Sequence, residues 1–448
     1  MRGMLSIVFA MLLVITGPGT TIAQPTDTGA TLFQNVNVFD GQNEALATGM
    51  SVLVEGNKIA KIAKTIDAPA GTMVIDGGGR TLMPGLIDMH WHSILATIPQ
   101  PVLLTADEAY IQIHGAQANE DALLRGFTTV RDVGGNVFGL KKATDEGTII
   151  GPRIFPSGAL ISQTSGHADF RGPNDVPAHP GAPLDSLQVR GHVLIADGVP
   201  EVMKRTREVL RMGASQVKVM AGGGVSSPYD PIDVTQYTPE EMRAAVEVAK
   251  TWNTYVTVHA FTDASVRQAI DAGVQCIEHG HLLTDETLKL MAEKGVWLSM
   301  QPILNDEDAI PFPKGSPNEK KFIEVTNGTD HVYKRAKELG VQMVWGTDTL
   351  FDPELAKKQG KLLAKLGRWF TPVEALRQAT SAAGELIALS GPRNPYPDGP
   401  LGVIKEGAYA DLILVNGNPL ENLDLVADAD KNFAVIMKDG KIYKNTLN

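Results

Sequence analysis

The stretch Leu86-Ile87-Asp88-Met89-His90-Trp91-His92 closes an apolar run over about 84–91 with two histidines two residues apart. In a β-strand, residues i and i+2 point to one face. His90 and His92 therefore converge, and Trp91 between them is predicted to face outward to a helix layer. Two imidazoles on one strand can chelate a single metal ion. His-x-His alone is a weak signal, so its weight depends on how the other strands of the chain end.

Further apolar runs follow at about 127–133, 153–161, 215–220, 254–260, 274–279, 296–301 and 342–347. Between several of them lie stretches of helical period, such as 239–252, 263–272 and 285–294. Thr238-Pro239-Glu240-Glu241 and Thr371-Pro372-Val373-Glu374 each line up an N-cap, a first-turn proline and acidic first-turn residues. Eight strands alternating with helices predict an α/β fold, a (β/α)8 TIM-type barrel with its active face at the strand C-termini. The segment 162–200, rich in Pro, Gly and Asp, is predicted to be a loop or lid over that face. Polar residues close or interrupt the apolar runs where such a site would lie. Lys218 sits between valines on the fourth strand, His259 ends the fifth, His279 the sixth and Asp348 the eighth. A lysine on a strand buried on both faces is costly unless paired. The bland reading of Lys218 is a buried ion pair with Asp348. Four histidines, a lysine and an aspartate at the strand ends of one barrel favour a metal site.

The two chain ends share a β texture. Short runs at 31–39, 51–55 and 58–62 match runs at 410–415 and 433–437, and Lys438-Asp439-Gly440-Lys441 reads as a hairpin turn. The expected organisation is a small β-sandwich domain built from 24–82 and 393–448 around a barrel spanning 83–392. Residues 1–23, with Arg2, an apolar run at 5–15 and Ala23, read as a signal peptide, so the mature chain would start at Gln24 and be exported, periplasmic or secreted. No later stretch reaches the ~18 apolar residues of a membrane helix, so no stable membrane insertion is expected after cleavage. The 448 residues carry 40 Lys and Arg against 51 Asp and Glu, a net charge of −11, which argues against nucleic acid as the main partner. Cys276, the one cysteine, excludes an intrachain disulfide and a cysteine-based zinc site.

The series His90-x-His92, Lys218, His259, His279, Asp348 on strands one, four, five, six and eight resembles the amidohydrolase superfamily in its two-metal, carboxylated-lysine form. Met83-Pro84-Gly85-Leu86-Ile87-Asp88, Leu401-Gly402 and Ala410-Asp411-Leu412 resemble it too, so the likeness spans almost the whole mature chain. Thr128-Thr129-Val130-Arg131-Asp132, Gly166-His167-Ala168-Asp169, Gln236-Tyr237 and Ile277-Glu278-His279-Gly280 are similar to the branch of secreted prolidase-like enzymes and ochratoxinase.

The resemblance implies two divalent ions, with zinc expected and manganese, cobalt or iron also compatible. Lys218, carboxylated by CO2, would bridge them. His90, His92 and Asp348 would complete one ion, and His259 and His279 the other. Asp348 would move the proton. His167 and Tyr237 are the candidate substrate-binding residues. The implied reaction cleaves the amide bond to a C-terminal amino acid in dipeptides or N-acyl amino acids, with ochratoxin A a candidate substrate. Relatives also suggest a homo-oligomer. The rival readings are a one-metal cyclic amidase of imidazolonepropionase type and a non-catalytic barrel scaffold. His281 departs from the pattern, where a small polar residue is expected. Gly222-Gly223-Gly224 lacks the Lys-Ser/Thr of a phosphate loop and reads as a close turn above the metals. Arg131 and Asp132 read as residues of an internal ion pair. His114, His179, His192 and His331 receive no role.

Overall fold

The structure, a computed structural model, describes residues 29–172, 174–175, 181–227 and 229–447. Residues 1–23 and His179 lie outside the described residues.

The central unit is a ring of parallel strands in two arcs. Leu86–Trp91, Phe127–Asp132 and Arg153–Pro156 form a three-stranded sheet. The other arc runs Val193–Ile195, Leu160–Ser162, Val217–Met220, Val256–Ala260, Cys276–His279, Trp297–Met300 and Met343–Trp345. Strand eight returns to strand one through Asp348 N–H donating to His90 O at 2.8 Å. The barrel strands are buried along their whole length except at Met343 and Ile195, Leu160–Ser162 included. That explains why their sequences are near-continuous apolar runs broken only by site residues.

Two expectations change. The third strand, expected over 153–161, is interrupted at 157–159, where Gly158 adopts φ +74° against the Phe138 ring. Its halves pair in different arcs. The predicted loop at 162–200 contains the helix Ser186–Val189 and the strand Val193–Ile195, which extends the sheet edge beside Leu160–Ser162. A three-residue strand carries too little pattern to read from sequence.

The helix signals act as predicted. Thr238 and Thr371 each close a full capping box, with Glu241 and Glu374 as the reciprocal partners and proline in the first turn. Trp91 is fully buried among Ile94, Ile111, Ala122 and Leu140, so it faces the helix layer.

The chain ends pair with each other. Leu412–Val415 runs antiparallel to Thr81–Pro84 within one continuous eight-stranded sheet. Val52, Val54 and Ile59 from the N-terminal strands share an apolar cluster with Leu412, Leu414, Val435 and Met437 from the C-terminal ones. The hairpin turn has Asp439 at φ 56° and Gly440 at φ 73°, the two left-handed positions of a type I′ turn. Arg153, at the base of barrel strand three, reaches Asp411 at 3.0 Å and also pairs with Asp439, tying the sheet to the barrel floor.

Candidate metal centre

Six polar residues from five strands line one cavity of about 280 Å³: His90, His92, Lys218, His259, His279 and Asp348. The two-residue period of strand one brings the His90 and His92 rings to 5.2 Å. Asp348 sits just past strand eight, and its Oδ1 lies 3.1 Å from His90 Nε2 and 3.4 Å from His92 Nε2. His90, His279 and Asp348 each offer a ligand atom within 4.8 Å of the others. His279 and Asp348 hold φ of 78° and 51°, a strained region for non-glycine residues. Such outliers concentrate where function over-determines the backbone.

Each imidazole is oriented by a partner on its other ring nitrogen. His90 Nδ1 pairs with Glu278 Oε2 at 2.8 Å, and His92 Nδ1 with Gly134 O at 3.1 Å. His279 Nδ1 pairs with Gln301 Oε1 at 2.7 Å, and His259 Nε2 with Gly223 O at 3.0 Å. A ring nitrogen that donates to oxygen leaves the opposite nitrogen as a lone-pair donor facing the cavity. Burial pushes the His259 and His279 pKa values well below normal, reinforced at His259 by His167, His279 and Lys218 and prevailing at His279 over the opposing charge of Asp348, so both rings are neutral and suited to ligation.

Glu278, quoted only within Ile277-Glu278-His279-Gly280, and Gln301 were given no role from the sequence. Glu278 is fully buried, accepts from Arg131 Nη2 at 2.6 Å and also bonds Thr257 Oγ1. The available signal was its place beside His279 on a strand with no solvent-facing side. Arg131 thus forms an internal ion pair, but with Glu278, and Asp132, read with it as an ion-pair residue, takes part in none among the described residues. Asp132 points to the other face of strand two and accepts from Ser93 N at 2.7 Å and Gly134 N at 3.2 Å. Burial pushes the Asp132 carboxyl up to about 6.

Lys218 is 2% exposed. Burial lowers its pKa to about 8, against the opposing pull of Glu278 and Asp348. The ion-pair partners of Asp348 among the described residues are His90, His92 and His279, so the Lys218–Asp348 pair of the bland reading does not form. Burial would raise the Asp348 pKa, but the charge of His90 and hydrogen bonds from His90 and His92 hold it well below the usual carboxylate range. Its side chain stays 25% exposed, open to the cavity.

His167 lines the cavity and stacks on His259 with ring centroids 4.0 Å apart. Ser227 Oγ lies 2.6 Å and Asp230 Oδ2 3.2 Å from its Nδ1. The triple glycine is the predicted close turn, since a Cβ at Gly224 would strike the His167 ring and one at Gly223 would strike Pro231 O. Tyr237 is a correction. It is not among the residues lining the cavity. Its backbone, at φ 67° just before the helix Pro239–Thr251, puts the ring in the main apolar core, where its hydroxyl has no partner. His281 is buried behind His279 with Nε2 at 3.0 Å from Gln301 O. Burial lowers its pKa to about 4, so the unexpected histidine is a neutral core residue. His114, His192 and His331 lie away from the cavity, against Tyr110, Glu108 and Asp285.

A closed parallel barrel with four imidazoles, a lysine and a carboxylate gathered at its strand ends defines a barrel hydrolase. The chain belongs to the amidohydrolase family, whose sequence profile matches residues 81–444. Ochratoxinase of Aspergillus niger is 33% identical over 387 residues, covering 81% of this chain and 75% of that protein. A crystal structure of an amidohydrolase superposes with a TM-score of 0.86 at 35% identity, covering 94% of this chain and 100% of the other. A prolidase complexed with N-methylphosphonate-L-proline gives a TM-score of 0.85 at 34% identity, covering 93% and 100%. The protein is a hydrolase acting on carbon–nitrogen bonds, in a family that is generally metal-dependent and works on small molecules.

Proposed function

We propose that this protein is a binuclear metal-dependent amidohydrolase that cleaves the amide bond to a C-terminal amino acid in dipeptides or N-acyl amino acids. The observation that carries this is the convergence of His90, His279 and Asp348 within 4.8 Å on the floor of the cavity, with His92, Lys218 and His259 in the same wall. The donor set fits two divalent ions. Its imidazoles are oriented from outside, its carboxylate is held ionised, and a buried lysine of lowered pKa stands among them. Imidazole and oxygen donors suit zinc. His90, His92 and Asp348 would hold one ion, His259 and His279 the other, and Lys218 as a carbamate would bridge them. The bound ions would lower the pKa of water to near neutrality and polarise the carbonyl.

The chain's own groups do the rest. Asp348, ionised and partly open to the cavity, accepts the proton of the attacking water and delivers it to the leaving nitrogen. His167, fixed by Ser227 and Asp230, faces the substrate from above His259. The leaving group is assigned from the relatives, a prolidase bound to a proline phosphonate and ochratoxinase. Ochratoxin A is one amide in the substrate range to be tried.

Metal analysis and a hydrolysis panel on one sample test the reading. The expected result is about two ions per chain with cleavage of N-acyl amino acids or dipeptides. One ion with opening of cyclic amides supports the imidazolonepropionase-type alternative, and no ion with no turnover supports a scaffold. Export is part of the proposal. The intact mass of the exported protein should begin at Gln24, and a mass retaining residues 1–23 overturns it.

A further inference from the structure

We infer that Phe170, Phe312 and Phe351 are specificity-determining residues, which make the site select amides carrying a large apolar group, an aromatic ring foremost. The inference rests on the amide-hydrolase reading and adds the chemistry of the substrate. The three rings come from segments far apart in the chain, after strands three, seven and eight, and all line the cavity. Each is half-buried. Loops at the open face of a barrel are ordinarily polar, because they meet water and not a core. Apolar rings there expose surface that a ligand can cover.

Phe261 and Phe322 line the same cavity, so five phenylalanine rings contribute to its wall. Phe261 lies 5.0 Å from the His279 ring at the floor. Phe312 packs against Phe322 with centroids 5.9 Å apart. Phe170 meets Phe351 edge-on at 6.4 Å and 87°. A flat substrate group between these walls would meet ring faces and edges, the geometry aromatic pairs favour. The cavity volume of about 280 Å³ suits a small molecule better than a longer peptide.

Ion pairs hold the walls in position. Asp308, whose carboxylate is fully buried, accepts from Lys358 Nζ at 2.9 Å and Lys361 Nζ at 3.0 Å. Asp306 Oδ2 lies 2.9 Å from Lys365 Nζ. These pairs tie the loop that carries Phe312 to the segment that follows Phe351. The apolar pocket is therefore formed before substrate arrives, which lowers the ordering cost of binding.

The test compares N-acetyl-phenylalanine, N-acetyl-alanine and N-acetyl-aspartate as substrates of the metal-loaded wild type, Phe312→Ala, Phe351→Ala and Phe351→Leu. A hydrophobic pocket discriminates by ~10–200-fold per methylene-sized difference. Wild type should prefer phenylalanine over alanine by ~10²-fold in kcat/KM. Each alanine variant should lose ~10-fold of that preference, mainly through KM on the phenylalanine substrate. Phe351→Leu should recover part of it. Calorimetric binding of 3-phenylpropanoate against propanoate gives a readout that needs no turnover. The phenyl compound should bind at least ~10-fold tighter to wild type and lose that margin in Phe351→Ala. Equal binding of the two acids, or a wild-type preference for the aspartate or alanine substrate, overturns the inference. Selective binding without cleavage of any amide overturns the amide-hydrolase reading instead.

Discussion

Asp348→Asn is expected to keep the fold and most of the metal affinity while kcat falls by ~10²–10⁴-fold, the range for a positioned acid–base group. The substitution preserves size and one oxygen acceptor, so the contacts near 3.1 Å to His90 and 3.4 Å to His92 can persist. It removes the ability to take up a proton. Asp348 is suited to that task because His90 and His92 keep it ionised while a quarter of its side chain remains open to the cavity. A carboxyl held below the usual range is charged at neutral pH, so any acidic limb it causes lies below about pH 4 and should be missing from the variant. KM and inhibitor binding should change little, since the lost interaction belongs to the transition state. Steady-state kinetics with metal analysis on the same preparation decide the matter. A variant that holds both ions and turns over within a few-fold of wild type would falsify the assignment of the proton to Asp348.

Lys218→Ala should be as damaging, for a different reason. The side chain is 2% exposed and lines the same cavity as the four histidines and Asp348, where it is the one lysine among the described lining residues. Without it the variant should lose at least one ion per chain and most of its activity. Acetate or propionate should restore part of the activity by standing in for the carbamate. Carboxylation itself can be followed without turnover. Only a neutral amine attacks CO2, and burial brings the Lys218 pKa down from 10.5 to about 8. The neutral fraction therefore grows as pH rises through about 8 and not near 10. In metal-free protein under ¹³C-labelled CO2, a carbamate resonance should strengthen over that interval and be missing from Lys218→Ala. Unchanged metal content and rate in the variant, or no carbamate in wild type at any pH, would remove the bridging role.

Much of the site was legible because a strand writes its geometry into a period of two. His90 and His92 had to share a face, and the runs ending at His259 and His279 had to end at the same rim once the alternation of strands and helices implied a parallel barrel. Lys218 stood out because a charge between valines has no cheap structural explanation. The capping boxes at Thr238 and Thr371 were readable for the same local reason, since all their partners lie within four residues. Tyr237 failed because its direction depends on a left-handed backbone angle that neighbouring residue types do not announce.

By itself, then, the sequence determined the alternation that makes a barrel, the strand ends that carry the six polar residues, and the caps that start the helices. Each of these depends on residues a few positions apart, where covalent geometry sets direction. Tertiary structure alone decided that Glu278 would turn His90 and neutralise Arg131, and that Gln301 would orient His279. It also decided that strand three would break at Gly158 and that Phe170, Phe312 and Phe351 would line the same cavity as the six polar residues. Those contacts join residues far apart in the chain. They are set by barrel register and by loop paths, and neither leaves a periodic trace in the local sequence.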